Sequence, residues 1–256
     1  MSRRFALVTG ASRGIGAALA AALAREGYDL ILTARSAPDL ETQRSYVHSL
    51  GREAHLIVAD LAQGGAAKIL DAVASAQWPI TLLVNNAGVG SFGEFASLPG
   101  GHECAQVRLN LEATVALTHG LLPVLKQHGG AIINVASTAA LQPVPYMATY
   151  SATKVFLLHF SLALREELRS SGVHVMALCP GPTATNFFTA SDTPVPPGLQ
   201  SAGEVAALAL RGLRRQKSVV ICSPRGAALD AVERMLPRTL VTRIAGTVVR
   251  KWTHTT

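Results

Sequence analysis

A chain of 256 residues, 49% apolar and 15% charged, has enough nonpolar side chain to fill one large hydrophobic core, which excludes a disordered or fibrous polypeptide. Its three cysteines, Cys104, Cys179 and Cys222, are far apart and show no C-x-x-C spacing; they exclude a disulfide framework and a cysteine zinc site, and suit a reducing cytoplasm. The net charge of +7 sits at one end, because residues 1–210 carry 13 basic against 14 acidic side chains while residues 211–256 carry 10 against 2, so any attraction to an acidic partner belongs to the tail.

The first apolar run, FALVT (5–9), stops at Thr9-Gly10, too short for the core of an export signal, and reads as a strand. It runs straight into Gly10-Ala11-Ser12-Arg13-Gly14-Ile15-Gly16 and a helical stretch from Ile15 to Arg25. Glycines at 10, 14 and 16 let a phosphate approach bare backbone N–H groups at a helix N-terminus, and the strand-turn-helix context makes this a dinucleotide motif. The second strand, LILTA (30–34), ends at Ala34-Arg35, where an NAD site would carry an acidic residue for the ribose 2′-hydroxyl. Arg35, helped by Arg13, suits a 2′-phosphate instead, which favours NADP(H) over NAD(H).

A helix from Asp39 to Leu50 precedes the third strand, HLIVA (55–59), which is followed by Asp60-Leu61; Asp60 also reads as a helix N-cap. The fourth strand, TLLVN (81–85), leads into Asn86-Ala87-Gly88. One helix is expected from Glu103 to Lys126, carrying Asn110. The fifth strand, AIINVAS (131–137), ends at Ser137, thirteen residues before Tyr150, and the next helix, Thr149 to Ser170, places Tyr150 and Lys154 on one face at i, i+4. The sixth strand, HVMALC (174–179), opens into Pro180-Gly181-Pro182-Thr183-Ala184-Thr185 and a Thr- and Pro-rich loop reaching Gly198, long enough to be a lid or binding loop. Ser201-x-x-Glu204 is a capping box, and VVIC (219–222) is the seventh strand. Strands alternating with long helical stretches predict an α/β fold: a Rossmann-like, doubly wound parallel sheet of seven strands with helices on both faces and the ligand crevice at the strands' carboxyl ends.

Taken together, TGASRGIG, Asp60, Asn85-Asn86-Ala87-Gly88, Ser137, Tyr150-x-x-x-Lys154 and Pro180-Gly181, in this order and at strand ends, resemble the motif set of the classical short-chain dehydrogenase/reductase family over residues 5–222. The resemblance implies hydride transfer between a nicotinamide cofactor and a carbonyl or alcohol. It makes Tyr150 the general acid in reduction, with Lys154 as the cation that lowers its pKa and binds the nicotinamide ribose. It makes Ser137 the donor to the substrate oxygen and Asn110 the holder of a water on a proton relay to the lysine. For the cofactor it implies Gly10, Ser12, Arg13, Gly14, Ile15, Gly16, Arg35, Asp60 and Leu61 on the adenosine side. Asn86, Ala87, Gly88, Tyr150, Lys154, Pro180, Gly181, Thr183 and Thr185 lie toward the nicotinamide, although PGPTAT departs from the family's more usual PGxVxT.

No two of the eight histidines have metal-ligand spacing, and no metal is expected. Phe92, Phe95, Leu141, Val144, Tyr146, Met147, Phe187 and Phe188 follow the fourth, fifth and sixth strands and predict an apolar substrate pocket. Residues 1–223 form the expected catalytic domain, and 224–256 a basic helical extension of it. In that tail Leu229, Val232, Met235 and Leu236 make one apolar face, and Leu240, Ile244, Val248 and Trp252 another after Pro237. The tail is expected to pack on the body or on a second subunit of a homodimer or homotetramer, with weak peripheral membrane contact as the secondary reading. No apolar run is long enough to span a bilayer, and no aromatic platform accompanies the basic residues, so neither a membrane span nor a nucleic-acid partner is expected. The alternative to an enzyme is a non-catalytic dinucleotide sensor or scaffold acting through the basic tail.

Overall fold

The structure is a computed structural model that describes residues 3–191, 193–195, 198–224, 226–228 and 235–253, with side chains to residue 250. Seven strands form one parallel sheet: β1 (Phe5–Thr9), β2 (Asp29–Ala34), β3 (Ala54–Val58), β4 (Ile80–Asn85), β5 (Ala131–Val135), β6 (His174–Cys179) and β7 (Val219–Ile221), in the order β3-β2-β1-β4-β5-β6-β7. Successive side chains on a strand point to opposite faces, so each central strand feeds two cores. Ala6, Val8, Leu30, Leu32, Leu82, Val84, Met176 and Leu178 point to one side, where α1 (Gly14–Arg25) and α2 (Ala37–Ser49) pack. Leu7, Ile31, Leu83, Ile132 and Val175 point to the other, beneath α3 (Gly65–Ala76). The order reverses between β1 and β4, which opens a crevice at their carboxyl ends.

The helix expected from Glu103 to Lys126 is two helices, α4 (Gly100–Val107) and α5 (Ala113–Gln127), joined by a π-turn at Arg108–Glu112. The turn carries Asn110, whose hydrogen bonds across to Val89 and Thr153 fix it at that point. Sequence periodicity alone does not reveal such a one-residue insertion. β5 stops at Val135, two residues short of expectation, because Ser137 turns out of the sheet to cap the turn at Thr138–Ala140. α6 (Ala148–Glu167) follows, and the expected long loop after β6 contains a short helix, α7 (Phe187–Ala190), and a parallel bridge between Thr183 and Gln200. The capping box at Ser201 and Glu204 starts α8 (Ala202–Arg214), which lies against α1.

The tail contains α9 (Arg238–Thr253), whose inward face is Val241, Ala245 and Val249. Leu240, Ile244 and Val248, expected to be the face in need of cover, are 44–52% exposed. The helix is rolled one residue from the expected register because Gly246 lies against Pro145, where an added Cβ would sit 3.2 Å from the proline ring. Met235 and Leu236 are exposed; Leu229, Val232 and the side chain of Trp252 lie outside the described residues.

Two glycines separate backbone strain from crowding. Gly51 has φ +75° and open space around it, whereas a Cβ on Gly16 would lie 2.2 Å from the Gly10 carbonyl oxygen and 2.5 Å from Asn86 Nδ2. We expect Gly16→Ala to destabilise the protein by roughly 3 kcal/mol or more and Gly51→Ala by about 1 kcal/mol, read by urea unfolding; equal losses would show that crowding at Gly16 is relieved by movement.

Candidate active site

The glycine turn is tied to the β4 loop by hydrogen bonds from both sides. Thr9 Oγ1 accepts from the backbone N–H groups of Asn86 and Ala87, both at 2.9 Å, and Asn86 Nδ2 donates to the carbonyls of Thr9 (2.8 Å) and Gly10 (3.2 Å). The Asn86 side chain is therefore a brace between the two loops. Asn85 is a second brace, donating from Nδ2 to Asn134 Oδ1 (2.8 Å) and Thr118 Oγ1 (3.1 Å). With the loop fixed, Gly10 and Gly14 turn at φ +63° and +57° into the N-terminus of α1, leaving Ser12 half-buried beside them and Ile15 packed on the core.

Along the adenosine side, Arg35 is exposed at the end of β2 and has no hydrogen bond or ion pair among the described residues. Arg13, expected to assist it, instead pairs with Asp39 at the start of α2 (3.1 Å), with both side chains roughly half exposed. Asp60 caps its own turn, accepting from Ala62 N (2.9 Å), and Leu61 is buried in the core. On the opposite wall Pro180 accepts from Thr138 N through its carbonyl (2.8 Å), and Gly181 abuts Ser223. Thr183 is buried and donates to the Gly181 carbonyl (2.8 Å), whereas the Thr185 side chain rests on Gly14, 3.1–3.2 Å from where a Cβ would be. The loop after β6 thus reaches across the crevice to the glycine turn.

α6 brings Tyr150 and Lys154 to the floor of the crevice, both buried. Lys154 Nζ lies 5.6 Å from the centre of the Tyr150 ring and donates to the Val135 carbonyl (2.9 Å). Asn110 is buried and nearly saturated: Oδ1 accepts from Val89 N (3.0 Å), and Nδ2 donates to Val89 O and Thr153 Oγ1, each at 3.0 Å. Thr153 in turn donates to the Tyr150 carbonyl (2.8 Å), so Asn110 braces the helix that carries the tyrosine. Gly88 borders both groups; a Cβ there would sit 3.2 Å from Asn110 Oδ1 and 3.4 Å from Lys154 Nζ. Phe187 of α7 packs its ring on Tyr150 (5.2 Å between centroids) and over Gly90, giving the tyrosine an apolar roof.

Burial pushes the Tyr150 phenol up to about 12, and the neighbouring Ser137 hydroxyl only partly offsets this. The expected lowering by Lys154 is not met, because in this geometry the ammonium group is turned to the Val135 carbonyl and desolvation dominates. Burial also brings Lys154 down to about 8, with a small opposing effect from Cys179, which leaves it mostly charged at neutral pH. Among the described residues no three His, Cys, Asp or Glu side chains are grouped to hold a metal ion.

A lysine whose pKa falls from 10.5 unfolded to about 8 folded is a stability cost. At pH 7 both states are protonated and the full penalty applies. Between pH 8 and 10.5 the unfolded chain holds more protons, so stability from this group rises with pH. Lys154→Met removes the penalty but orphans the Val135 carbonyl; we expect a net gain on the order of 1 kcal/mol at pH 7 that turns into a net loss by pH 10.5, where the penalty is gone and the orphaned carbonyl remains. Unfolding by denaturant at several pH values checks it, and a gain independent of pH would show that Lys154 is not the titrating group.

Comparison with known proteins agrees with this geometry. The short chain dehydrogenase family model matches residues 4–195. The ketoacyl reductase HetN of Nostoc sp. is 33% identical over 222 residues, covering 84% of this chain and 77% of that protein. A short-chain dehydrogenase from Sphingobium yanoikuyae, solved in complex with NADPH, superposes with a TM-score of 0.82 at 32% identity, covering 90% of this chain and 93% of the other. The bulky-bulky ketone specific alcohol dehydrogenase from Comamonas testosteroni gives 0.78 at 31% identity, covering 90% and 92%. With the parallel sheet, the glycine turn at its switch point and the buried Tyr150-Lys154 pair, these matches establish that the chain belongs to the short-chain dehydrogenase family of nicotinamide-dependent oxidoreductases acting on alcohol and carbonyl groups.

Proposed function

We propose that the protein is an NADP(H)-dependent carbonyl reductase or alcohol dehydrogenase for hydrophobic small molecules, with Tyr150 as its general acid and base. The observation that carries this reading is the buried Tyr150-Lys154 pair beneath Phe187, on the floor of a crevice lined by backbone glycines. The crevice fits a dinucleotide: the turn at Gly10 and Gly14 leaves no side chain over the N-terminus of α1, Gly88 leaves none over Lys154 Nζ, and Arg35 is an exposed cation without a partner among the described residues. We assign the pyrophosphate to Gly10, Ser12, Gly14, Ile15, Gly16 and Thr185, the adenosine to Arg35, Asp60 and Leu61, and the nicotinamide end to Asn86, Ala87, Gly88, Lys154, Pro180, Gly181 and Thr183. When bound, the nicotinamide supplies or takes the hydride.

In reduction, Ser137 donates a hydrogen bond to the substrate carbonyl oxygen, and Tyr150 passes its Oη proton to that oxygen as the carbon gains a hydride. The phenolate left behind is held by the Lys154 ammonium, and a proton returns by way of Lys154 and water beside Gly88 and Asn110. In oxidation the same groups run in reverse. A tyrosine held near 12 is a reluctant base, so oxidation needs Lys154 to swing from the Val135 carbonyl toward the phenol and the ribose. Asn110, with its side chain committed to Val89 and Thr153, acts chiefly by positioning.

The apolar environment of Tyr150, with Phe187, Phe188 and the Phe92-Tyr146 pair nearby, favours a hydrophobic carbonyl compound. The related alcohol dehydrogenase described as specific for bulky-bulky ketones supports the same reading. Among the described helices none is long and apolar enough to cross a membrane; we place the reaction in the cytoplasm, in keeping with three cysteines that lie far apart in the sequence. Exposed Val107, Val115, Phe156 and Leu162, from α4 to α6, support a second copy of the chain as partner.

Tyr150→Phe removes the proton and keeps the ring packed on Phe187. We expect NADPH to bind as in the wild type while turnover of a ketone panel falls about 10²–10⁴-fold; near-normal turnover removes Tyr150 from the mechanism. Ala34→Asp places a carboxylate beside the proposed 2′-phosphate position. Cofactor titration is expected to show the preference for NADPH over NADH reduced by about tenfold or more, and an unchanged preference would overturn the assignment to Arg35.

A further inference from the structure

α9 keeps a second apolar stripe facing outward after it has packed on the body. Val241, Ala245 and Val249 are buried and Gly246 rests on Pro145, so the inward side of the helix is taken up. Leu240, Ile244 and Val248 recur at every fourth residue on the outer side, where each is 44–52% exposed. Met235 and Leu236, also exposed, stand immediately before the helix in the chain. Tyr146 Oη accepts from Arg250 Nε (3.1 Å), so Arg250, with the Gly246–Pro145 contact, serves to hold the helix in this roll.

The charge of the helix has one sign. Its sequence contains Arg238, Arg243, Arg250 and Lys251 and no acidic residue. Arg238 and Arg243 are exposed, and neither side chain makes a hydrogen bond or ion pair among the described residues. Glu94, the acidic side chain across the groove from Arg243, is not paired with it. An aliphatic stripe bordered by exposed arginines is the pattern of a helix that lies in a membrane interface. The stripe enters the acyl boundary, while the long arginine stems let the guanidinium groups reach lipid phosphates.

We propose that the outer side of α9 docks the protein on an anionic membrane surface, with Leu240, Ile244 and Val248 entering the lipid and Arg238 and Arg243 meeting the phosphate groups. The contact is peripheral and reversible. Three half-exposed aliphatic side chains are a weak anchor and need the attraction of basic residues, each worth about fivefold in binding near a charged bilayer. Charge and shape select this occupant over two others. A symmetric contact between two copies of α9 would bring four cations from each together with no acid to offset them. The stripe, about 12 Å long from Leu240 to Val248, is also far short of the roughly 800 Å² per partner that a stable dimer buries. An acidic peptide would be read in a groove, whereas this stripe lies on the convex outside of a surface helix and suits a flat partner.

The test is flotation of the full chain with vesicles of phosphatidylcholine, alone or with about one-third phosphatidylglycerol. At low salt we expect binding to the mixed vesicles to exceed binding to pure phosphatidylcholine by about fivefold or more, and to fall as salt is raised. Ile244→Gln with Val248→Gln leaves the charge unchanged and is expected to lower mixed-vesicle binding about fivefold or more. Arg238→Gln with Arg243→Gln is expected to lower it by a similar or larger factor and to flatten the salt dependence. All four positions are exposed, so thermal unfolding stays as in the wild type, and Val195→Gln controls for the loss of an exposed aliphatic side chain elsewhere. Equal binding to the two vesicle types overturns the proposal. Mixed-vesicle binding that survives Ile244→Gln with Val248→Gln also overturns it, by reducing it to adsorption through net charge. A fall in molecular mass by sedimentation in that double variant would assign the stripe to a second copy of the chain. Binding of polyglutamate through Arg238 and Arg243 without vesicle binding would assign it to an acidic protein instead.

Discussion

The structure depends on a close approach at the switch point of the sheet, where the turn after β1 meets the loop after β4. Gly16 has no room for a side chain because the Gly10 carbonyl and the Asn86 amide already fill the space, and four hydrogen bonds join Thr9 and Gly10 to Asn86 and Ala87 across the gap. This contact fixes the N-terminus of α1 relative to Ala87 and Gly88. Those residues in turn place Val89, whose backbone accepts from and donates to Asn110. Asn110 then grips Thr153, and through it the turn of α6 that carries Tyr150. One chain of polar contacts thus runs from the glycine turn to Tyr150, part-buried at first and fully buried at Asn110 and Thr153, where each bond is hardest to replace.

The same burial shapes the chemistry. A phenol and an ammonium group both taken out of water lean toward their neutral forms, which is why Tyr150 lies near 12 and Lys154 near 8. The lysine satisfies itself on the Val135 carbonyl and does little for the phenol. An anionic phenolate or a ribose hydroxyl presented near Gly88 would offer Nζ better partners. The Tyr150-Lys154 pair is thus organised in position but only part-way organised in electrostatics.

The sheet was legible because the alternation of buried strands with amphipathic helices is a property of whole segments, and all seven strands fall within two residues of expectation. The site was legible where an unusual residue sits at a strand end, as with Gly10, Ser137 and the Tyr150-Lys154 spacing. What escaped depends on contacts between segments distant in sequence. The π-turn at Arg108–Glu112 is set by Asn110 reaching Val89 and Thr153, and the brace role of the Asn86 side chain by Thr9, 77 residues earlier. Arg13 looked free for a phosphate because nothing in its own turn shows that α2 presents Asp39 to it. The direction of the Tyr150 shift was missed for the same reason, since an i, i+4 spacing reports proximity and not the depth of burial or where the ammonium group points.

The tail extends this reasoning to the part of the chain least constrained by the sheet. Its apolar residues occupy two adjacent helical stripes, and hydrophobicity alone cannot choose which turns inward. The choice falls to shape: the small Gly246 allows Pro145 to approach, which rolls Val241, Ala245 and Val249 onto the body and Leu240, Ile244 and Val248 outward. The roll also turns Arg243 and Arg250 toward the segment after β4 and Tyr146, whose hydroxyl accepts from Arg250 Nε. A glycine-proline contact thereby determines where the tail's positive charge points. It brings a basic segment that looked like an appendage against the segment that leads into α6.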